Sequence, residues 1–215
     1  MGWWPGDAAC LGLGMDLPGL TYRGAAIDDV EIIERLPMEL QQLIAQRNGF
    51  VAFRGGLHVR GACSTPEWHS LRAAMEGPTS FAARFRTVKP DDVPFAQDVF
   101  GDQFILRGSK VFKLDSYADQ LEQVADGLVD FFGKVQADPI GLLALGHLAQ
   151  YEGTGETLRP GELLMEWPPF VVEGSEKGVS LRRIPAAERL EFLADIARQL
   201  RGVADGTKVE FKVGG

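Results

Sequence analysis

Residues 94–114 carry the pattern that most constrains the fold of this chain. Three phenylalanines surround a glycine–aspartate pair, and two short apolar segments then flank the tetrapeptide Arg-Gly-Ser-Lys at 107–110. Glycine allows the backbone to turn sharply at a corner or in a tight hairpin loop, and short runs of apolar residues bounded by such turns favour strands. The segment therefore predicts a glycine-bearing corner that leads into a β-hairpin, with the aromatic side chains packed inward.

Helices are predicted on both sides of this hairpin. Apolar spacing favours a short helix at residues 27–34 and a second helix that Pro37 opens and Asn48-Gly49 ends. A hydroxyl cap followed by proline at 64–66 predicts a third helix, with Trp68 in its buried stripe. Further helices are predicted at 117–135, at 139–148 and from residue 185 onward, and further strands at 50–53, 57–59, 163–165, 170–172 and 207–213. Helices that alternate with hairpins, without a regular βαβ array, predict the α+β class.

The predicted elements divide the chain into three segments. Residues 1–26 are rich in glycine, proline and small residues and predict an irregular start anchored by tryptophan. Residues 27–150 form the predicted core. Residues 151–215 follow a linker rich in glycine and proline and predict a C-terminal extension of strands plus a helix, packed on the same domain.

Composition limits the classes of function. The chain has 215 residues, of which 45% are hydrophobic and 24% charged, which suits a globular protein with a sizeable core. The apolar run at 8–15 is broken by glycines and too short for a membrane span, so we expect a soluble, cytoplasmic protein. Cys10 and Cys63 give no disulfide framework and are expected to be free thiols. The net charge of −8 disfavours nucleic acid and anionic membranes as partners and leaves a basic protein partner open, although acidity for solubility alone is an equal alternative.

The residues that usually carry chemistry form no recognisable motif. His58, His69 and His147 are far apart in sequence and are expected to be surface or packing residues rather than metal ligands. Asp98 and Asp102 are expected to cap backbone N–H groups at the corner, because Phe100 stands where a calcium loop needs an oxygen ligand. No nucleophile elbow or phosphate-binding loop is present. We therefore expect no catalytic residues, no metal and no cofactor, with a hydrolase or deaminase site assembled from scattered residues such as Asp98, Asp102 and His58 as a less favoured alternative.

Two sets of acidic residues are candidates for binding a partner. The first set repeats at intervals of three, four and four along the predicted helix 117–135 and therefore lines one side of it, comprising Asp119, Glu122, Asp126 and Asp130. The second set lies on the outer face of the predicted helix 27–34, comprising Asp28, Asp29, Glu31 and Glu34. A solvated helix face is the usual role of such stripes, and a docking surface is the alternative. The aromatic segment 167–170 offers a similar choice, between an edge strand protected by its proline pair and an interface patch.

The order of several of these features resembles that of the SUKH superfamily. A short acidic helix precedes Leu36-Pro37, Asn48-Gly49-Phe50 follows, and Trp68 stands near the middle. The block at 95–104 then has the pattern Phe-Ala-x-Asp-x-Phe-Gly-Asp-x-Phe and leads into the hairpin. The resemblance covers about residues 27–145, and the block at 95–104 is its most specific part.

The resemblance implies both a fold and a function. It implies an α+β fold with a twisted, mostly antiparallel sheet covered by helices, and no catalysis. Bacterial members of the superfamily are immunity proteins of polymorphic toxin systems, which neutralise nuclease or deaminase toxins by direct binding, so a cognate toxin, basic in charge, is the implied partner. A regulatory scaffold, like the fungal cell-wall-assembly members, is the alternative. The matching positions are apolar or turn residues, so they transfer no binding site to this chain.

Overall fold

A seven-stranded antiparallel sheet is the centre of the computed structural model, which describes residues 17–173, 175–203 and 207. The strands pair in chain order, each with the next. They are β1 (Tyr22–Arg23), β2 (Phe50–Ala52), β3 (Leu57–Val59), β4 (Val93–Asp98), β5 (Gln103–Arg107), β6 (Lys110–Asp115) and β7 (Gln120–Ala125). Together with the helices on its faces, this sheet confirms the predicted α+β class.

Eight short to medium helices and a two-stranded sheet accompany this sheet among the described residues. The helices are α1 (Val30–Glu34), α2 (Met38–Gln46), α3 (Leu71–Met75), α4 (Phe81–Arg84), α5 (Leu128–Ala137), α6 (Pro139–Leu142), α7 (Leu145–Glu152) and α8 (Ala186–Leu200). The small sheet pairs β8 (Glu162–Trp167) with β9 (Ser180–Pro185) in antiparallel fashion. None of the described helices is long and apolar enough to cross a membrane.

The predicted corner and hairpin are confirmed. Strands β5 and β6 pair from Gln103 to Arg107, and the two-residue loop between them contains Gly108 at φ 59°. The corner before β5 turns at Gly101, where φ is 94°. One carboxylate oxygen of Asp98 accepts hydrogen bonds from three successive backbone N–H groups of this corner, at 3.0–3.1 Å. The aspartate cap and the glycine conformation together reverse the chain between β4 and β5.

The two faces of the sheet are covered by different helices. Helices α1, α2 and α5 pack on the first face, where Leu40, Leu43 and Phe131 join Phe95 and Phe104 of the sheet in one apolar cluster. The second face carries α4, α8 and β8, whose apolar side chains surround Ile105 and Leu114 of the sheet. A third, smaller cluster joins α7 and β8 to the corner. The segment after residue 150 thus packs directly on the second face of the sheet.

The predicted long helix at 117–135 is wrong. A turn, strand β7 and helix α5 occupy these residues instead, and Gly127, fully extended at φ 179°, separates the strand from the helix. Leu121 and Val124 pack against two different apolar clusters, as expected for side chains on opposite faces of a strand. Pairing with β6 over five residues decides the conformation against a local sequence that favours helix.

Several smaller predictions also need correction. The predicted helix at 139–148 is interrupted at Ala144, whose φ of 54° separates α6 from α7. Residues 170–172 form turns rather than a strand. The aromatic side chains of residues 94–114, expected to pack inward together, are divided: Phe100 belongs to the third cluster, and Phe112 is half-buried outside the first cluster. The predicted strand at 207–213, the tryptophans at 3 and 4, and Cys10 lie outside the described residues, apart from Thr207 itself.

Candidate functional site

The first acidic set follows the β7 edge of the sheet rather than one side of a helix. Asp119 lies in the turn before β7, Glu122 within the strand, Asp126 just after it and Asp130 in the first turn of α5. A six-residue strand is about 20 Å long, so Asp119 is far from Asp126. We call these four residues the acidic edge.

The members of the acidic edge differ in how far they are already engaged. Asp119 accepts hydrogen bonds from the backbone of Arg86 and from both the backbone and the hydroxyl of Thr87. Asp130 pairs with Lys134 at 3.0 Å, and the backbone N–H of Asp126 together with this lysine holds the pKa of Asp130 below its usual value. Glu122 and Asp126 are exposed. These two carboxylates therefore contribute most of the negative charge that the edge presents to solvent.

The four residues of the second acidic set differ in how deeply they are buried. Asp29 is buried, caps α1 through the N–H of Ile32 and binds Arg72 through both of its oxygens at 2.7 Å. The Arg72 guanidinium and the helix cap hold the pKa of Asp29 below its usual value. Asp29 is therefore a structural residue, and its expected place on an outer face is wrong. Asp28 accepts hydrogen bonds from Ser64, while Glu31, with a side chain 87% exposed, and Glu34 remain on the surface.

Strand β3 and the 3₁₀ turn Glu67–His69 bring together a buried pair of histidines that no sequence motif indicates. Nε2 of His58 lies 2.9 Å from Nδ1 of His69, and Nε2 of His69 lies 3.1 Å from the carbonyl oxygen of Asn48. A carbonyl only accepts, so His69 donates from Nε2 and accepts at Nδ1, and His58 donates from its own Nε2. Burial lowers the pKa of His69 to about 4 and that of His58 well below its usual value, with Arg60 adding to both effects.

Arg60 lies beside this pair and is also buried. Its Nη1 donates to the carbonyl of Pro94 at 2.8 Å, and its Nη2 donates to the side-chain oxygens of Gln97 and Gln103 at 2.7 and 2.8 Å. The guanidinium lies over the ring of Phe81, 5.1 Å from its centroid. No carboxylate of the described chain pairs with it. Burial without such a partner lowers its pKa to about 9.

A fully buried ion pair fixes α8 to the sheet. Arg189 and Glu166 both have side chains that are 0% exposed, and they meet at 2.9 Å. Arg189 also donates to the carbonyl of Phe100 at 3.0 Å, and Tyr117 donates its hydroxyl to Glu166. Burial raises the pKa of Tyr117. These contacts of Arg189 connect α8 to β8 and to the corner before β5, which indicates a structural role.

Of the alternative site built from Asp98, Asp102 and His58, the structure brings the two aspartates together at Lys113, whose Nζ lies 3.7 Å from Asp102, but it does not place His58 with them. Asp98 pairs with Lys113 at 2.8 Å, and Lys113 lies over the ring of Phe104 on the first face of the sheet. His58 stands directly across from Gln97, one residue before Asp98, so its side chain lies on the second face. The cap on the corner by Asp98 agrees with the turn role expected for it. Among the described residues, no group of three or more histidine, cysteine or acidic side chains is arranged to hold a metal ion.

Residues 167–170 present an exposed aromatic surface rather than a regular edge strand. Trp167 ends β8 and is 52% exposed, and Phe170 lies in a turn with 38% of its surface exposed. The ring of Phe170 contacts Phe100 and His147, with centroids 5.3 and 5.4 Å apart. One side of Phe170 is therefore anchored, and the other is open to solvent.

Comparison with known proteins adds nothing to these observations, since no family model, no curated protein and no solved structure matches the chain.

Proposed function

We propose that this protein is a non-catalytic binding module, an immunity protein of the SUKH type that neutralises a bacterial toxin domain by direct contact. The observation that carries the proposal is the position of the acidic edge on the last strand of the sheet. Strand β7 pairs with β6 on one side, and within the described chain no strand pairs with its other side. Edge strands are a common place for protein partners to dock.

Charge supports the same surface. The protein carries a net charge of −8, and Glu122 and Asp126 are exposed on the edge without a basic partner in any ion pair of the described residues. Toxins that act on nucleic acids present basic clefts to their substrate. An acidic edge would be steered toward such a cleft and would occupy it in place of nucleic acid. A cytoplasmic location belongs to this proposal, because the toxin's substrate is found there.

The edge also supports binding over chemistry. The buried ion pair, the aspartate cap and the histidine pair each connect elements of the fold. Among the described residues, the exposed carboxylates of the edge belong to no group of histidine, cysteine and acidic side chains that could hold a metal ion. A surface of this kind can recognise a partner through charge and backbone pairing. The proposed partner is a basic protein, with neither direct nucleic-acid binding nor membrane binding.

A growth-rescue experiment tests the proposal. The open reading frame next to the gene would be expressed from an inducible promoter in a bacterial host, with and without this protein. We expect arrest of growth by the toxin alone, rescue by co-expression and a complex that co-purifies. The immunity proposal would be refuted if the neighbouring gene product were not toxic, or if it were toxic and co-expression of this protein did not rescue growth. Either result would favour a regulatory scaffold of the same superfamily.

Paired charge variants locate the contact. The double variant Glu122→Gln/Asp126→Asn and the control Glu31→Gln/Glu34→Gln change the net charge equally, but only the first alters the acidic edge. We expect the first variant to slow association with the toxin about tenfold at low salt, with a weaker effect at high salt, because steering between opposite charges is screened. Equal rates for the two variants would place the contact elsewhere on the protein.

A further inference from the structure

A cavity of about 340 Å³ opens on the second face of the sheet, and no residue of the acidic edge lines it. Its wall includes Trp68, Phe81 and Leu190, and the larger part of its surface is apolar. Cavities of about 300 Å³ or more that combine an apolar wall with a few polar groups are typical of sites for small molecules. The polar groups of this cavity therefore decide which class of molecule it suits.

Arg60 is the first of these polar groups. It lines the cavity while remaining 97% buried, and three neutral oxygens accept its hydrogen bonds. A guanidinium has five N–H groups, so these three bonds leave two without an acceptor in the described chain. Its Nε is one of them, and it is not fully enclosed, because no fully buried side-chain nitrogen of the described residues lacks a partner. Arg60 therefore lines the cavity with an available donor left on its guanidinium, and no carboxylate of the described residues pairs with it.

The start of helix α8 is the second polar group. Pro185, Ala186 and Ala187 line the cavity, and Pro185 as the N-cap provides no side-chain hydrogen bond to the first turn. The N–H of Ala186 donates to the carbonyl of Gly161, and the next N–H groups lie at the positive end of a fifteen-residue helix. The exposed Glu188 lies in the same turn and offsets part of this positive potential.

Arg84 adds a second guanidinium to the lining. Its side chain is 15% exposed and pairs at 3.0 Å with Glu191, whose own side chain is 69% exposed. Glu67 is the acidic residue of the lining and is exposed to solvent. The two arginines of the lining are more buried than the two acidic residues near them, Glu67 and Glu191, and the apolar residues complete the wall. An unpaired buried cation is costly, so an anion that reaches Arg60 would relieve this cost.

We infer that this cavity binds a small carboxylic acid with an apolar body, whose carboxylate lies between Arg60 and the start of α8 and whose body lies against Trp68, Phe81 and Leu190. This site is independent of the proposed partner surface. A carboxylate fits the two-pronged donor arrangement of a guanidinium, and hydrogen bonds between charged groups are stronger than those between neutral ones.

Titration of the full chain with three carboxylates tests the inference. The probes are phenylacetate, 2-naphthoate and octanoate, each paired with the corresponding alcohol as a neutral control, and binding is followed by calorimetry and by the indole N–H signals in NMR spectra. We expect at least one acid to bind saturably with one-to-one stoichiometry and to perturb the Trp68 signal, and its alcohol to bind about tenfold more weakly, equivalent to about 1.4 kcal/mol. Absence of saturable binding by all three acids at millimolar concentration, or equal binding of acid and alcohol, would overturn the inference.

Two matched pairs of variants locate the probe. Arg84→Gln removes a cation from the lining, while Arg54→Gln removes an exposed arginine that pairs with Glu152 outside the cavity. Ala187→Phe fills the opening from an exposed position, and Ala149→Phe makes the same change on α7. We expect Arg84→Gln and Ala187→Phe to weaken binding of the acid at least threefold and the two controls to leave it unchanged. Equal affinities within each pair would show that the acid binds elsewhere and would overturn the assignment.

Discussion

Acidification should weaken this protein through the His58–His69 pair. Both rings are buried and neutral, and a proton added to Nδ1 of His69 would face the N–H of His58 instead of an acceptor. Burial lowers the pKa of His69 to about 4, while the same ring in the unfolded chain titrates near 6.5. The unfolded state therefore binds more protons between these two values, and the free energy of unfolding falls as the pH decreases through this window.

The size of the effect follows from the two pKa values. Between pH 7 and pH 5, the linkage relation gives a loss of about 2 kcal/mol from His69 alone. His58, whose pKa is also lowered, adds to this loss. A loss of about 2 kcal/mol is a large share of the free energy of unfolding of a typical domain, which is about 5–15 kcal/mol.

Urea unfolding of the wild type and of His69→Gln at several pH values measures this contribution. The variant lacks the titrating ring, so its free energy of unfolding should fall by about 2 kcal/mol less than that of the wild type between pH 7 and pH 5. His147→Gln, which replaces the half-buried histidine beside Phe100 and Phe170, serves as the control and should follow the wild type. If the free energy of unfolding depended on pH equally in the wild type and in His69→Gln, the argument that burial holds this pair neutral would be refuted.

Three further changes test the core and its polar anchors. Phe104→Ala should cost about 3–5 kcal/mol in thermal or urea unfolding, because the ring is fully buried against Phe131, whereas the exposed Val129→Ala should cost almost nothing. Asp29→Ala should lower the free energy of unfolding by about 1–2 kcal/mol through loss of the α1 cap, and an unchanged value would argue against the cap. Arg189→Ala should cost about 3–5 kcal/mol because it leaves Glu166 buried without its partner, and a loss below 1 kcal/mol would contradict this role.

Elements whose conformation depends on local sequence could be predicted well. The two-residue loop at Gly108 and the corner at Gly101 both need a backbone conformation that glycine adopts easily, and the positions of these glycines predicted the strands around them. Helix α8 begins where Pro185 ends the preceding strand, as its apolar stripe predicts. In these cases the residue types and the tertiary structure favour the same conformation.

Features that depend on distant pairing could not be predicted in the same way. Residues 120–125 have the composition of a helix, and only their pairing with β6 makes them a strand. The histidine pair forms because β3 lies beside the short 3₁₀ turn Glu67–His69, where Gly61 bridges to Ser70. Neither histidine belongs to a motif, so no local pattern indicated that their rings would meet. The buried Arg60 was missed for the same reason, because its acceptors come from β4 and β5.

The most direct test of the proposed function is the association rate between the purified protein and the toxin domain encoded beside it. Stopped-flow measurements over a range of salt concentrations should give a rate that falls as salt rises, and Glu122→Gln/Asp126→Asn should lower the low-salt rate about tenfold while leaving the melting temperature unchanged. A rate that is insensitive to both salt and these two substitutions would contradict the proposal that the acidic edge guides the protein to its partner. Absence of any complex would contradict the immunity function itself.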